Sequence, residues 1–219
     1  MPVITDFSFD FHYGSHHELV DSHLLSKYLS SFKHLNLPLD RISWAFVADL
    51  YFLERFQHVD PMDILREIIG LEGGPYNSTT KQETQFSYPP LVGLWHKHFF
   101  SPRFIPKNIQ IHLGKNGIKD IITNTVPLGG ILSREAITEI ANQIVTGSIQ
   151  ERSSKKRMTG EWIVFAKYSD SNFYLKIETH DNIDSVIYNN IAIACSPQFP
   201  FLLDLMSIPS DHIAHSLVP

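Results

Sequence analysis

A single cysteine, Cys195, stands in a chain of 219 residues, so no internal disulfide can form and folding requires no oxidising compartment. Its neighbourhood, "IAIACSPQFPF", is apolar, which predicts a buried, inert thiol. No apolar run approaches the roughly 20 residues of a membrane span, and "MPVITDFSFDFHYG" has neither a basic n-region nor a long apolar h-region. These absences predict a cytoplasmic protein with no membrane partner. The sequence also has no Walker loop, dinucleotide fingerprint, paired-cysteine metal site or serine elbow, so no motif names a chemistry.

What is present suits a globular chain with a sizeable core: hydrophobic residues make up 43% and charged residues 19%. The net charge of −5 conceals an asymmetry. Met1 to His96 carries 6 Lys/Arg against 12 Asp/Glu, Lys97 to Lys167 carries 11 against 5, and Tyr168 to Pro219 carries 1 against 6. A cationic middle with interleaved aromatics suits a phosphodiester ligand, although acidic ends folded onto a basic middle produce the same pattern.

Periodicity predicts an α-rich first half. One helix is expected from Ser15 as N-cap through "HHELVDSHLLSKYLSSFKHL", a second over "ISWAFVADLYFLERFQHV", and a third with Asp60 as cap, Pro61 at its first position and Gly70 as stop. "DFSFDFHYG" alternates like an edge strand, with Asp10 and His12 as a minor acid/base pair on its polar face. Residues 72–90, "EGGPYNSTTKQETQFSYPP" from Glu72 to Pro90, read as a long surface loop within one domain spanning residues 1–219. Ser133 caps a helix expected to stop at Gly147, and a further helix follows a cap at Asp181 or Asn182. "EWIVFAKY" and "FYLKIETH" form a hairpin over residues 161–180, with "SDSN" as a four-residue turn and Tyr168 opposite Phe173. The predicted class is α+β, a helical N-terminal half packed on a small antiparallel sheet containing that hairpin.

The segment "LVGLWHKHFFSPRFIPKNIQIH", Leu91 to His112, concentrates histidines, cations and aromatics. Helical spacing of Leu91, Leu94, Trp95, His98 and Phe99 favours a helix there over a strand. Metal-independent cleavage of RNA needs a base for the ribose hydroxyl, an acid for the leaving oxygen, and cations for the charge on phosphorus. His98 and His180 are the expected acid/base pair, with His96 as a further histidine, Lys97 and Lys167 as charge stabilisers, and Trp95, Arg103, Lys107, Tyr174 and Lys176 as substrate-binding groups. That chemistry needs no metal or cofactor. A metal site built from His96 and His98 with His112, His180 or Asp181 rests on a lone His-x-His among 12 histidines, a weak signal. The second functional expectation is a noncatalytic protein-binding or regulatory module anchored by Trp95, Phe99, Phe100, Arg103 and Phe104.

Overall fold

The computed structural model describes residues 7–126, 130–158, 160–178 and 182–207. The fold is a mixed α+β arrangement with, among the described residues, one two-stranded and one four-stranded sheet. The chain forms two compact units, one of residues 1–76, 83–97 and 161–219, and one of residues 77–82 and 98–160.

The first unit opens with strand β1 (Ser8–Tyr13) paired to β2 (His16–Asp21) across a two-residue turn at Gly14 and Ser15. Gly14 takes φ +59, which a residue without Cβ adopts at little cost. Alternation sends Phe9, Phe11 and Tyr13 to one face, where Phe11 meets Phe52 at 5.2 Å and Tyr13 meets Phe56 at 6.0 Å between ring centroids. The helix expected from Ser15 therefore starts later. Helix α1 (Ser22–Ser30) is capped by Asp21, whose carboxylate accepts from Leu24 N–H at 2.8 Å, and residues 16–21 pair with β1 instead.

Helices α2 (Trp44–Gln57) and α3 (Pro61–Leu71) lie where the periodicity places them, capped by Ser43 and Asp60. Gly70 falls inside the last turn of α3 rather than beyond it. Ser43 also joins α2 to the main sheet. Its N–H donates to the Tyr174 carbonyl at 2.9 Å, and its hydroxyl donates to the Leu175 carbonyl while accepting from Phe46 N–H.

The main sheet runs β3 (Thr84–Gln85), β4 (Trp95–His98), β5 (Trp162–Tyr168), β6 (Ser171–Glu178). The hairpin forms as expected but in another register. Tyr168 pairs with Ser171 and Ala166 with Phe173, so the turn is the two residues Ser169 and Asp170, with φ of 48 and 57. Two successive positive φ values match the right-handed twist of a two-residue hairpin. A bulge leaves Leu175 unmatched between the Phe165–Tyr174 and Val164–Lys176 pairs.

Both faces of this hairpin are buried, including Ile163, Phe165 and Tyr174, so the face that carries Tyr174 and Lys176 is no open surface. A core cluster joins Val164, Ala166 and Leu175 to Leu91, Leu94 and the residues of α8 (Asp184–Ala194) and α9 (Leu202–Leu205), among them Ile187, Ile191 and Leu202. Residues 95–98 form a strand rather than the expected helix. Leu91 and Leu94 produce the helical spacing because both turn into this core just before the strand begins.

The second unit is helical. It contains α4 (Ile105–Leu113), α5 (Gly117–Thr125), α6 (Arg134–Asn142) and α7 (Ser148–Ser154), the last two joined through a π-helical turn over Gln143–Gly147. Gly147 therefore does not end the helix that Ser133 begins. A buried Asn108 ties α4 to α7: its Nδ2 donates to the Phe104 carbonyl at 2.9 Å, and its Oδ1 accepts from Arg152 Nε at 3.0 Å. Thr80 pairs with Met158 as an isolated bridge, and the Thr80 hydroxyl donates to the His98 carbonyl at 2.8 Å.

Candidate functional site

The residues expected to carry RNA chemistry fall into separate settings. His180, with its neighbours Thr179 and Asp181, lies outside the described residues. His98 belongs to the helical unit, is 4% exposed, and donates from Nδ1 to the Gly160 carbonyl at 3.1 Å. His96 belongs to the sheet unit, its Nε2 3.3 Å from the Thr84 hydroxyl and its ring in a cluster with Phe86 (4.6 Å) and Trp162 (5.0 Å).

Three cations of the expected site, Lys97, Lys176 and Lys167, are engaged inside the sheet unit. Lys97 is buried with its Nζ 3.2 Å from a Glu67 carboxylate oxygen. Tyr76 lies beside the same carboxylate, and burial, then Glu67, pushes its phenol up to about 12. Lys176 sits 3.0 Å from both oxygens of Asp49. Burial pulls its pKa down, but Asp49 and then Glu178 outweigh that and hold the ammonium above the ordinary lysine range. Lys167 lies 3.9 Å above the Trp95 ring and 3.7 Å from Glu83, which makes Trp95 a cation–π partner of the sheet itself.

Tyr174 has no exposed surface, and its hydroxyl donates to Glu72 at 2.7 Å. Arg41 grips the same carboxylate at 2.6 and 3.2 Å, and Asn172 reaches it at 3.2 Å. Burial raises the Glu72 carboxyl, but the hydrogen bonds from Arg41 and Tyr174 prevail and hold it below the usual range. Tyr174 itself is raised well beyond the usual phenol by burial and by that bond. This cluster fastens residue 72 to the hairpin. Cys195 is buried, its thiol pushed up to about 12 by desolvation, as its apolar surroundings predict.

Among the aromatic anchors expected for a protein interface, Phe99 is fully buried and packs on Phe104 at 6.2 Å. Arg103 lies over Phe104 at 4.9 Å and is exposed, as is Lys107 on α4. The exposed apolar surface of the helical unit lies further along the chain. Among the described residues, none in α5 or α6 is buried. Ile118 and Ile122, four apart on one face of α5, are 51% and 43% exposed; Ile137 on α6 is 51% and Val145 on the π turn 48% exposed. Ile131 and Leu132, just before α6, are exposed as well.

This unit is strongly basic. Its residues include 10 Lys/Arg and 4 Asp/Glu, against 8 and 19 in the rest of the chain. Lys107, Lys115, Lys119 and Arg134 are exposed on or beside the same helices. Sequence reasoning missed the surface although Pro106 and Gly114 bracket α4, Asn116 precedes α5, and the spacing Ile118, Ile121, Ile122 and Thr125 is helical.

A second feature absent from the expected site lies on the polar face of the β1–β2 hairpin. Asp10 and His12 project from β1, and His17 stands opposite His12 on β2. Their donor atoms all lie within 4.8 Å of one another. Comparison with protein-family models, curated proteins and solved structures returns no match. No helix among the described residues is long and apolar enough to cross a membrane.

Proposed function

We propose that this protein is a noncatalytic protein-binding module, and that its basic helical unit docks an acidic amphipathic segment of a cytoplasmic partner. The observation that carries this is the pair α5 and α6, two helices without a buried residue that display Ile118, Ile122 and Ile137, with Lys119 and Arg134 beside Asp120, Glu135 and Glu139, within a unit of 10 Lys/Arg and 4 Asp/Glu. Exposed apolar residues on neighbouring helices mark an interaction site, and the net positive charge of the unit as a whole favours a partner of opposite sign. The binding role is favoured over RNA cleavage because Lys97, Tyr174 and His98 are buried, Lys176 is largely covered, and all four are held by neighbours within their own units. The binding surface of this proposal lies on the helices that follow the strip Leu91 to His112, in which Phe99 is buried and Trp95, Phe100 and Phe104 are half-buried.

The test is a fluorescence-anisotropy titration with a synthetic helical peptide that alternates leucine and glutamate at amphipathic spacing, beside its glutamine counterpart and a single-stranded RNA oligonucleotide. The glutamate peptide is expected to bind, to weaken as salt screens the charges, and to lose affinity in an Ile118→Ser/Ile122→Ser/Ile137→Ser variant of unchanged circular dichroism. Failure of the peptide to bind, or RNA binding that the triple variant leaves intact, overturns the proposal.

A further inference from the structure

The polar face of the β1–β2 hairpin holds a donor set that the binding surface does not use. A two-residue turn puts His12 directly across from His17, and alternation puts Asp10 on the same face two residues before His12. The imidazole rings stack at 4.6 Å between centroids. One Asp10 oxygen lies 2.5 Å from His17 Nε2 and 3.4 Å from His12 Nε2. Both histidines therefore aim the same ring nitrogen at one carboxylate oxygen.

We infer that Asp10, His12 and His17 form a binding site for a divalent transition-metal ion, with Zn²⁺ the best-suited of these. Two neutral imidazoles and one carboxylate are borderline donors that suit zinc, and three protein ligands leave a coordination position open to water or a further group. Zinc–ligand bonds of about 2.0–2.2 Å place tetrahedral donors about 3.3 Å apart. The His12–Asp10 separation of 3.4 Å already meets this, and the His17–Asp10 hydrogen bond of 2.5 Å opens by roughly 0.8 Å as the ion replaces the shared proton. All three side chains are more than half exposed, so among the described residues nothing covers the entry path.

The neighbouring histidine gives an internal control. His16 pairs with Tyr13 and turns to the opposite face, where its ring lies 6.5 Å from Phe56. Because the ligands come from both strands, the ion clasps the hairpin, and a two-stranded ribbon is a weakly stable element that gains from such a clasp.

The experiment is isothermal titration of the untagged full chain with Zn²⁺ alone, paired with visible absorption of the Co²⁺-loaded protein. One saturable equivalent is expected. His12→Ala and His17→Ala each weaken it at least about tenfold, since even outer partners of metal ligands are worth that much. His16→Ala retains it, and Asp10→Ala abolishes the Co²⁺ ligand-field band. Absence of saturable binding overturns the inference, as does binding unchanged in both His12→Ala and His17→Ala, which would assign the ion to other histidines.

Discussion

Replacing Lys97 by methionine removes the ammonium from a pair in which both partners are almost wholly withdrawn from water. The Lys97 and Glu67 side chains are 5% and 2% exposed, and their charged atoms lie 3.2 Å apart. Methionine fills much of the lysine stem's volume, so packing changes little, but the buried Glu67 carboxylate then loses the ammonium 3.2 Å from it. Breaking a buried ion pair in this way costs about 3–5 kcal/mol, a large part of the roughly 5–15 kcal/mol that holds a domain folded. For a chain of this size that lowers the melting temperature by roughly 6–20 °C. A second substitution, Glu67→Gln, removes the carboxylate charge while keeping an acceptor for Tyr76, and is expected to restore at least half of the loss. The assay is urea unfolding followed by tryptophan fluorescence, because all three tryptophans, Trp44, Trp95 and Trp162, belong to the sheet unit that contains the pair. A Lys97→Met protein within about 1 kcal/mol of wild type, or a double variant no more stable than the single one, refutes the structural role assigned to Lys97.

Three further predictions follow from the interior. Glu72 has a depressed carboxyl in the folded state, so the unfolded chain binds the extra proton and stability falls as pH drops below about 4.5; Glu72→Gln loses less of its stability over that window in pH-dependent urea titrations. Cys195, with its thiol pushed up to about 12, stays unmodified by Ellman's reagent in the native protein and reacts fully once urea unfolds it, which a timed absorbance trace resolves. The hairpin turn holds Ser169 and Asp170 at positive φ, so Ser169→Asn/Asp170→Gly raises stability by ~1 kcal/mol, read as a shift in the urea midpoint.

The parts of the fold legible in the sequence are those whose signals are local. Asp60 and Pro61 open α3, apolar spacing marks α2, and the β-rich runs over 161–168 and 173–180 announce a hairpin. Where two local signals competed, pairing decided. Ser15 and Asp21 are both acceptable N-caps, and only the antiparallel partnership of Ser8–Tyr13 with His16–Asp21 awards the cap to Asp21. That choice hid the metal-ligand cluster, because a helix beginning at Ser15 separates His17 from His12 while a two-residue turn sets them face to face. The hairpin register eluded composition for a related reason. Its turn uses Ser and Asp at positive φ, where the usual signal is Asn-Gly. Charge counts located the basic region but not its shape, since burial of Lys97 and Lys176 beside carboxylates from α3 and α2 depends on contacts remote in sequence.

The central claim is that α5 and α6 form the docking surface, and amide hydrogen–deuterium exchange of the full chain with and without saturating glutamate peptide tests it most directly. Neither helix buries a residue, so both are expected to exchange readily alone and to gain protection over Gly117–Thr125 and Arg134–Asn142 when the peptide binds. Peptide-induced protection confined to the sheet unit, with α5 and α6 unchanged, contradicts the claim.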